Sequence, residues 1–245
     1  MKKILLLHGW NYANYKNIAN NPDENPWHNR QGFVDLLRSH GFEIITPSFP
    51  GFVGYSYSEP QNSWNIDDYV NYCNELVEQY RPDAVLGYSF GGAVVALWKS
   101  CLGLDSEVKI VLISPALERQ YEKGVNSGTL MLKKMLPNFL VNLTRYLYLR
   151  FIVKNPYYLK GTKFLRGSYL SIVKVKCGQE LKKIRPEQIL LLFGSKDTAT
   201  PPELLEKVIA GNQELLNRVV VILGGGHDIA NTHTEELVEN IKKFI

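Results

Sequence analysis

The chain has 245 residues, 45% of them hydrophobic and 21% charged, with a formal net charge of +4. That composition is ordinary for one soluble domain, or one domain with an insertion, and it excludes a disordered chain or a small disulfide scaffold. The apolar run Ile4–Leu7 behind Met1-Lys2-Lys3 is too short for a signal peptide, no stretch reaches the roughly 20 apolar residues of a membrane span, and the widely spaced Cys73, Cys101 and Cys177 fit reduced thiols, so a cytoplasmic location is expected.

In chain order, Lys3 to Leu7 reads as a continuous apolar strand. The loop from Asn11 to Arg30, with Pro22, Pro26 and Trp27, is longer than a simple connection needs; it reads either as one wall of a substrate site or as a solvated insertion. Phe33, Val34, Leu36 and Leu37 have helical spacing and stop at Gly41; a second strand, Glu43 to Thr46, ends at Pro47. Asp67 and Asp68 open a helix that Arg81-Pro82 terminates near Tyr80. Ala84 to Leu86 is a strand that runs into Gly87-Tyr88-Ser89-Phe90-Gly91, and a helix is expected from Gly92. Val108 to Ile113, Gln188 to Phe193 and Arg218 to Leu223 are further buried strands, with helices from Glu203 to Ala210 and from Thr234 to Phe244. Alternating elements with near-continuous apolar strands predict a parallel sheet covered by helices on both faces.

In such sheets function gathers beyond the carboxyl ends of the strands. The G-x-S-x-G stretch places Ser89 on a sharp strand-to-helix turn, where side chains at the flanking glycines would collide with neighbouring backbone. The N–H of Phe90 then falls at a helix start, free to face a developing oxyanion. Gly224-Gly225-Gly226-His227-Asp228 brings an imidazole to the same edge on a glycine turn. Gly194-Ser195-Lys196-Asp197 brings a carboxylate able to fix its tautomer. Asp83 and Asp105 precede strands and lie at the wrong end of the sheet, Asp67 and Asp68 open a helix, and Asp228 should point away from the histidine ring. His8 belongs to the turn after the first strand, His40 ends a helix, and His28 and His233 read as surface residues or as neighbours of the site.

With His8-Gly9-Trp10, the serine elbow, the Asp197 turn and the His227 turn in the order Ser, Asp, His, the sequence resembles the α/β-hydrolase superfamily, of the serine esterase and lipase kind. The resemblance covers residues 1–116 and 186–245. It implies a catalytic triad of Ser89, Asp197 and His227, an oxyanion hole from the backbone N–H groups of Trp10 and Phe90, and no metal or organic cofactor. The chain starts at the strand usually counted third, so six parallel strands are expected instead of eight. Residues 117–185 occupy the place of a helical lid, with one apolar segment over Leu130, Met131, Leu132, Met135 and Leu136, broken at Pro137, and a second from Phe139 to Val153.

The lid segment carries 15 lysines and arginines against 3 glutamates, which leaves the rest of the chain net acidic. This reads either as attraction to an anionic or lipid-like substrate, or as a solvated face that keeps the lid helices soluble. No nucleic-acid motif accompanies the charge. The resulting expectation is a carboxylic-ester hydrolase acting on a small ester or acyl substrate. Thioesterase, lactonase, lysophospholipase or carbon–carbon bond hydrolase activity shares the triad, and a non-catalytic binding protein on the same fold is the alternative from another class. Oligomeric state is left open.

Overall fold

The computed structural model describes residues 1–118 and 154–245, with isolated positions 140, 143, 144, 148 and 151 between them. Its strands are β1 (Lys3–Leu7), β2 (Glu43–Ile45), β3 (Ala84–Tyr88), β4 (Lys109–Ile113), β5 (Ile189–Gly194) and β6 (Val219–Ile222). They form one six-stranded sheet in the order β2-β1-β3-β4-β5-β6, and every pairing is parallel. The six parallel strands expected from the sequence are therefore present.

The strands are apolar on both faces because both faces are covered. Alternate residues Leu5, Leu7, Val85, Ile110, Leu112, Leu191 and Phe193 pack on one side beneath α2 (Ile66–Tyr80) and α3 (Phe90–Cys101). Ile4, Leu6, Leu86, Val111, Ile113 and Leu192 pack on the other side, with Phe33, Val34 and Leu37 of α1 (Gln31–Ser39) and with Leu237, Val238 and Ile241 of the C-terminal helix Thr234–Phe244. Period-two alternation divides each strand between two cores.

Local signals set the helix ends. At the end of α1, Gly41 takes φ +83°; its N–H bonds Arg38 O at 2.9 Å and that of Phe42 reaches Leu37 O at 3.4 Å, a Schellman stop. Helix α2 opens one residue before Asp67, because Asn65 is its cap: the Asn65 side chain accepts from the Asp67 and Asp68 N–H groups while Asp68 reaches back to the Asn65 N–H. Helix α3 begins at Phe90, two residues ahead of the expected Gly92, since the turn is confined to Ser89.

Of the segment 117–185, the described part holds α4 (Pro156–Leu159), α5 (Lys163–Ile172) and a short 3-10 turn, Gly178–Lys183. The expected helix over Leu130–Leu136 and most of that over Phe139–Val153 lie outside the described residues. Helix α6 (Pro202–Ile209) follows β5, and α7 (Gln213–Leu216), α8 (Ile229–Thr232) and α9 (Thr234–Phe244) complete the chain. Among the described residues no helix is long and apolar enough to cross a membrane.

Candidate active site

The turn after β3 is tight because nothing larger than hydrogen fits at its glycines. A Cβ on Gly87 would lie 2.5 Å from Gly91 O, and one on Gly91 would lie 2.4 Å from Leu7 O. Between them Ser89 sits at φ 52°, ψ −112°, a region that costs a non-glycine residue on the order of 1–3 kcal/mol. Its neighbours over-determine the conformation. Ser89 N donates to Ile113 O at 2.9 Å, and Ala116 N donates to Ser89 O at 2.9 Å.

The other two sequence-predicted side chains arrive at this serine. The Ser89 hydroxyl lies 3.0 Å from His227 Nε2, and His227 Nδ1 lies 2.8 Å from Asp197 Oδ2. An ionised carboxylate only accepts, so Nδ1 carries the ring proton and Nε2 is left to accept from the serine. Asp197 is deeply buried. Its Oδ1 accepts from Ala199 N at 2.8 Å and Thr200 N at 2.9 Å, and its Oδ2 accepts from the Thr200 hydroxyl at 2.7 Å. Burial alone would raise the carboxyl, but the hydrogen bonds from His227 and Thr200 outweigh it and bring the pKa down to about 2.

The turn His8-Gly9-Trp10 packs directly on the elbow, since a Cβ on Gly9 would lie 2.9 Å from the Tyr88 ring and 3.1 Å from Ser89 Cβ. His8 is a structural peg: its Nδ1 bonds Gly9 O at 2.8 Å and its Nε2 accepts from Phe49 N at 3.0 Å. Burial lowers its pKa to about 4, against the opposing Gly9 hydrogen bond, so it stays neutral. Trp10 and Phe90 have their rings 5.2 Å apart, and neither backbone N–H is used in a hydrogen bond among the described residues. Ser89 therefore has two unspent donors in the residues around it.

A cavity of about 340 Å3 opens over Ser89 and His227. One part of its lining is aromatic and apolar: Trp10, Phe90, Tyr157, Tyr169 and Ile172. The long loop supplies another part through Asn11, Asn14, Pro26, Trp27 and Arg30, and so walls this cavity. The competing carboxylates stay out. Asp83 caps the Lys3 N–H at the far end of the sheet, and Asp228 turns from the imidazole to accept from Arg30 Nε at 2.6 Å. His28, His40 and His233 do not line the cavity. Among the described residues no group of three His, Cys, Asp or Glu side chains is placed to hold a metal.

Two participants escaped the sequence reading. Thr200 had a readable signal, a short polar turn after Asp197 and before Pro201-Pro202, where a carboxylate commonly caps the N–H groups two and three residues on. Arg30 had none, because its partner Asp228 lies 198 residues away.

A family model described as the alpha/beta hydrolase family matches residues 4–240. The chain belongs to that family. Among solved structures, this alpha/beta hydrolase is similar to an esterase from Exiguobacterium antarcticum, at 18% identity with a TM-score of 0.60, over 100% of this chain and 91% of the other. It is also similar to a bromoperoxidase from Bacillus anthracis, at 20% identity and a TM-score of 0.64, over 99% and 91%. A third is the meta-cleavage product hydrolase of Pseudomonas fluorescens IP01, at 15% identity and a TM-score of 0.61, over 100% and 90%. No curated protein matches the chain significantly. At these identities the structural matches establish the shared fold.

Proposed function

We propose that this alpha/beta hydrolase is a serine hydrolase that cleaves carboxylic esters through an acyl-enzyme intermediate, with Ser89, His227 and Asp197 as its catalytic triad. The observation that carries the reading is the continuous chain of short contacts from Ser89 Oγ to His227 Nε2 and from His227 Nδ1 to Asp197. His227 takes the serine proton as Oγ attacks the acyl carbonyl. The N–H groups of Trp10 and Phe90 hold the oxyanion, and Asp197 stabilises the imidazolium. The imidazolium returns its proton to the leaving alcohol. Water, deprotonated by the same imidazole, then attacks the acyl-serine and releases the acid.

Residues 117–185 act as a lid in this reading, which is supported by Tyr157, Tyr169 and Ile172 lining the cavity from that segment. A cavity near the small end of ligand sites favours short acyl groups. A carbon–carbon hydrolase acting on a carboxylate-bearing substrate would need an uncommitted cation in the pocket. The single lysine or arginine in the described lining is Arg30, and its charge is already answered by Asp228.

The test is hydrolysis of p-nitrophenyl esters from acetate to palmitate, with Ser89→Ala alongside. Turnover that peaks at short chains and disappears in the variant supports the reading. Turnover that survives the substitution, or that appears only with thioesters, lactones or ring-cleavage products, would replace it.

A further inference from the structure

The turn that carries His227 is tied to the loop after β5: Lys196 N donates to Gly225 O at 2.7 Å and Gly224 N donates to Ser195 Oγ at 2.8 Å. It follows three glycines, Gly224 at φ +80°, and a glycine run costs more conformational entropy to fix than any other sequence. The bond to Asp197 restrains the ring through one nitrogen. These contacts all run to the loop after β5, and a further link is needed to fix the distance of the turn from the elbow.

Arg30 makes that connection. Its Nε donates to Asp228 Oδ1 at 2.6 Å, and Asp228 is the residue directly after His227. Its Nη2 donates to the Tyr88 hydroxyl at 3.3 Å, its guanidinium carbon lies 4.5 Å over the centre of the Tyr88 ring, and Tyr88 is the residue directly before Ser89. The Tyr88 hydroxyl in turn reaches the carbonyl of His227 at 3.4 Å, and the two rings lie 5.5 Å apart. Burial pushes the Tyr88 phenol up to about 12, against the pull of Arg30, so it stays protonated and able to donate as it accepts. The Arg30 side chain is only 12% exposed, where a charge-assisted bond is stronger than at an open surface.

We infer that Arg30 is a positioning residue: one guanidinium clamps the neighbour of the nucleophile to the neighbour of the base and so sets the Ser89–His227 separation. The loop that walls the cavity thereby fixes the histidine turn as well. A planar fork with several N–H groups can bond a carboxylate and a phenol while lying flat on a ring. A lysine ammonium has no such face. This inference rests on the serine-hydrolase reading, and the following experiment separates the two.

The experiment measures the rate constant for covalent labelling of Ser89 by a neutral fluorophosphonate, normalised to titrated sites, in the parent, Arg30→Gln, Arg30→Lys, Asp228→Asn and the Arg30→Gln/Asp228→Asn double variant. Melting temperatures are recorded in parallel. Since displacements of about 1 Å at a reacting pair cost up to about 100-fold, Arg30→Gln and Asp228→Asn are each expected to slow labelling by about 10- to 100-fold. Arg30→Lys should recover only part of that. The double variant should be no more than about 3-fold worse than the slower single one, as for two ends of one contact. Labelling at the parental rate per site, with only the melting temperature lowered, would reduce Arg30 to a structural role and overturn the inference. So would parental labelling together with a raised KM for an anionic p-nitrophenyl ester, measured on the same variants, which would make Arg30 a substrate contact. Failure of the parent to label at Ser89 would instead remove the serine-hydrolase reading, and the clamp with it.

Discussion

Replacing Asp197 by Asn changes one atom and, on this geometry, reverses a tautomer. Oδ1 of Asp197 is held by two fixed backbone donors, Ala199 N at 2.8 Å and Thr200 N at 2.9 Å. An asparagine must keep its carbonyl there, which puts its NH2 in the place of Oδ2, facing His227 Nδ1. The Thr200 hydroxyl tolerates the exchange, since it can turn its proton to Ser114 O at 3.2 Å and accept from the new amide. The imidazole cannot. With a donor opposite Nδ1 its proton moves to Nε2, which then no longer accepts from Ser89. Loss of the base in this way lowers kcat on the order of 10^3- to 10^4-fold, about 4–5.5 kcal/mol of barrier, with KM nearly unchanged. The assay is kcat and KM on a short p-nitrophenyl ester from pH 5 to 9, with thermal melts to show that the variant is folded. A loss smaller than about 10-fold, or one confined to KM, would refute the tautomer argument.

The same carboxylate predicts an acid limb of stability. Its folded pKa, about 2, lies below the ordinary value, so ionised Asp197 contributes about 2–3 kcal/mol that is complete above about pH 5 and is lost as pH falls toward 2. Melting temperatures of the parent and Asp197→Asn should converge at pH 2, and a gap that stays constant with pH would contradict this. Gly91→Ala would place a methyl group 2.4 Å from Leu7 O and 2.7 Å from His8 O. Both are backbone atoms that cannot give way, so urea denaturation should show a loss greater than about 3 kcal/mol; a change under about 1 kcal/mol would show that the elbow is less tightly packed. Tyr15→Phe removes the hydroxyl that accepts from Trp10 Nε1 at 2.6 Å and donates to Tyr157 O at 2.9 Å. It should cost about 1–3 kcal/mol in chemical denaturation and raise KM more than it lowers kcat, because Tyr157 lines the cavity. Unchanged KM would mean that this link does not shape the site.

The sheet was legible because strands buried on both faces must be apolar throughout, and runs such as Ile4–Leu7 and Ile110–Ile113 have no other easy reading. The three side chains now seen together were legible for a related reason. Each sits on a turn that geometry forces to be glycine-rich or polar at the carboxyl end of a strand, and such turns stand out against apolar strands. Element ends were less so: Asn65 takes the cap position because its side chain and that of Asp68 satisfy each other's backbone, a pairing that local charge alone does not rank above Asp67. Arg30 was hidden for want of any local pattern, since a long-range ion pair leaves no periodicity. The same holds for Tyr15, whose hydroxyl accepts from Trp10 and donates to Tyr157, 142 residues further along the chain. Residues 117–185 were legible as an insertion between strands by their length, whereas the faces of their apolar segments were not, because amphipathic spacing names a buried face without naming what buries it.

Ser89 as the nucleophile is tested most directly by trapping the acyl-enzyme. The chain is mixed with excess p-nitrophenyl acetate, quenched with acid in the pre-steady state, digested and analysed by mass spectrometry. A burst of p-nitrophenol and an acetyl group on Ser89 are expected, and both should fall away when His227 is replaced by Ala, since Ser89 then has no base to take its proton. Steady turnover with no acyl-peptide, or an acetyl group carried on a residue other than Ser89, would contradict this role of Ser89.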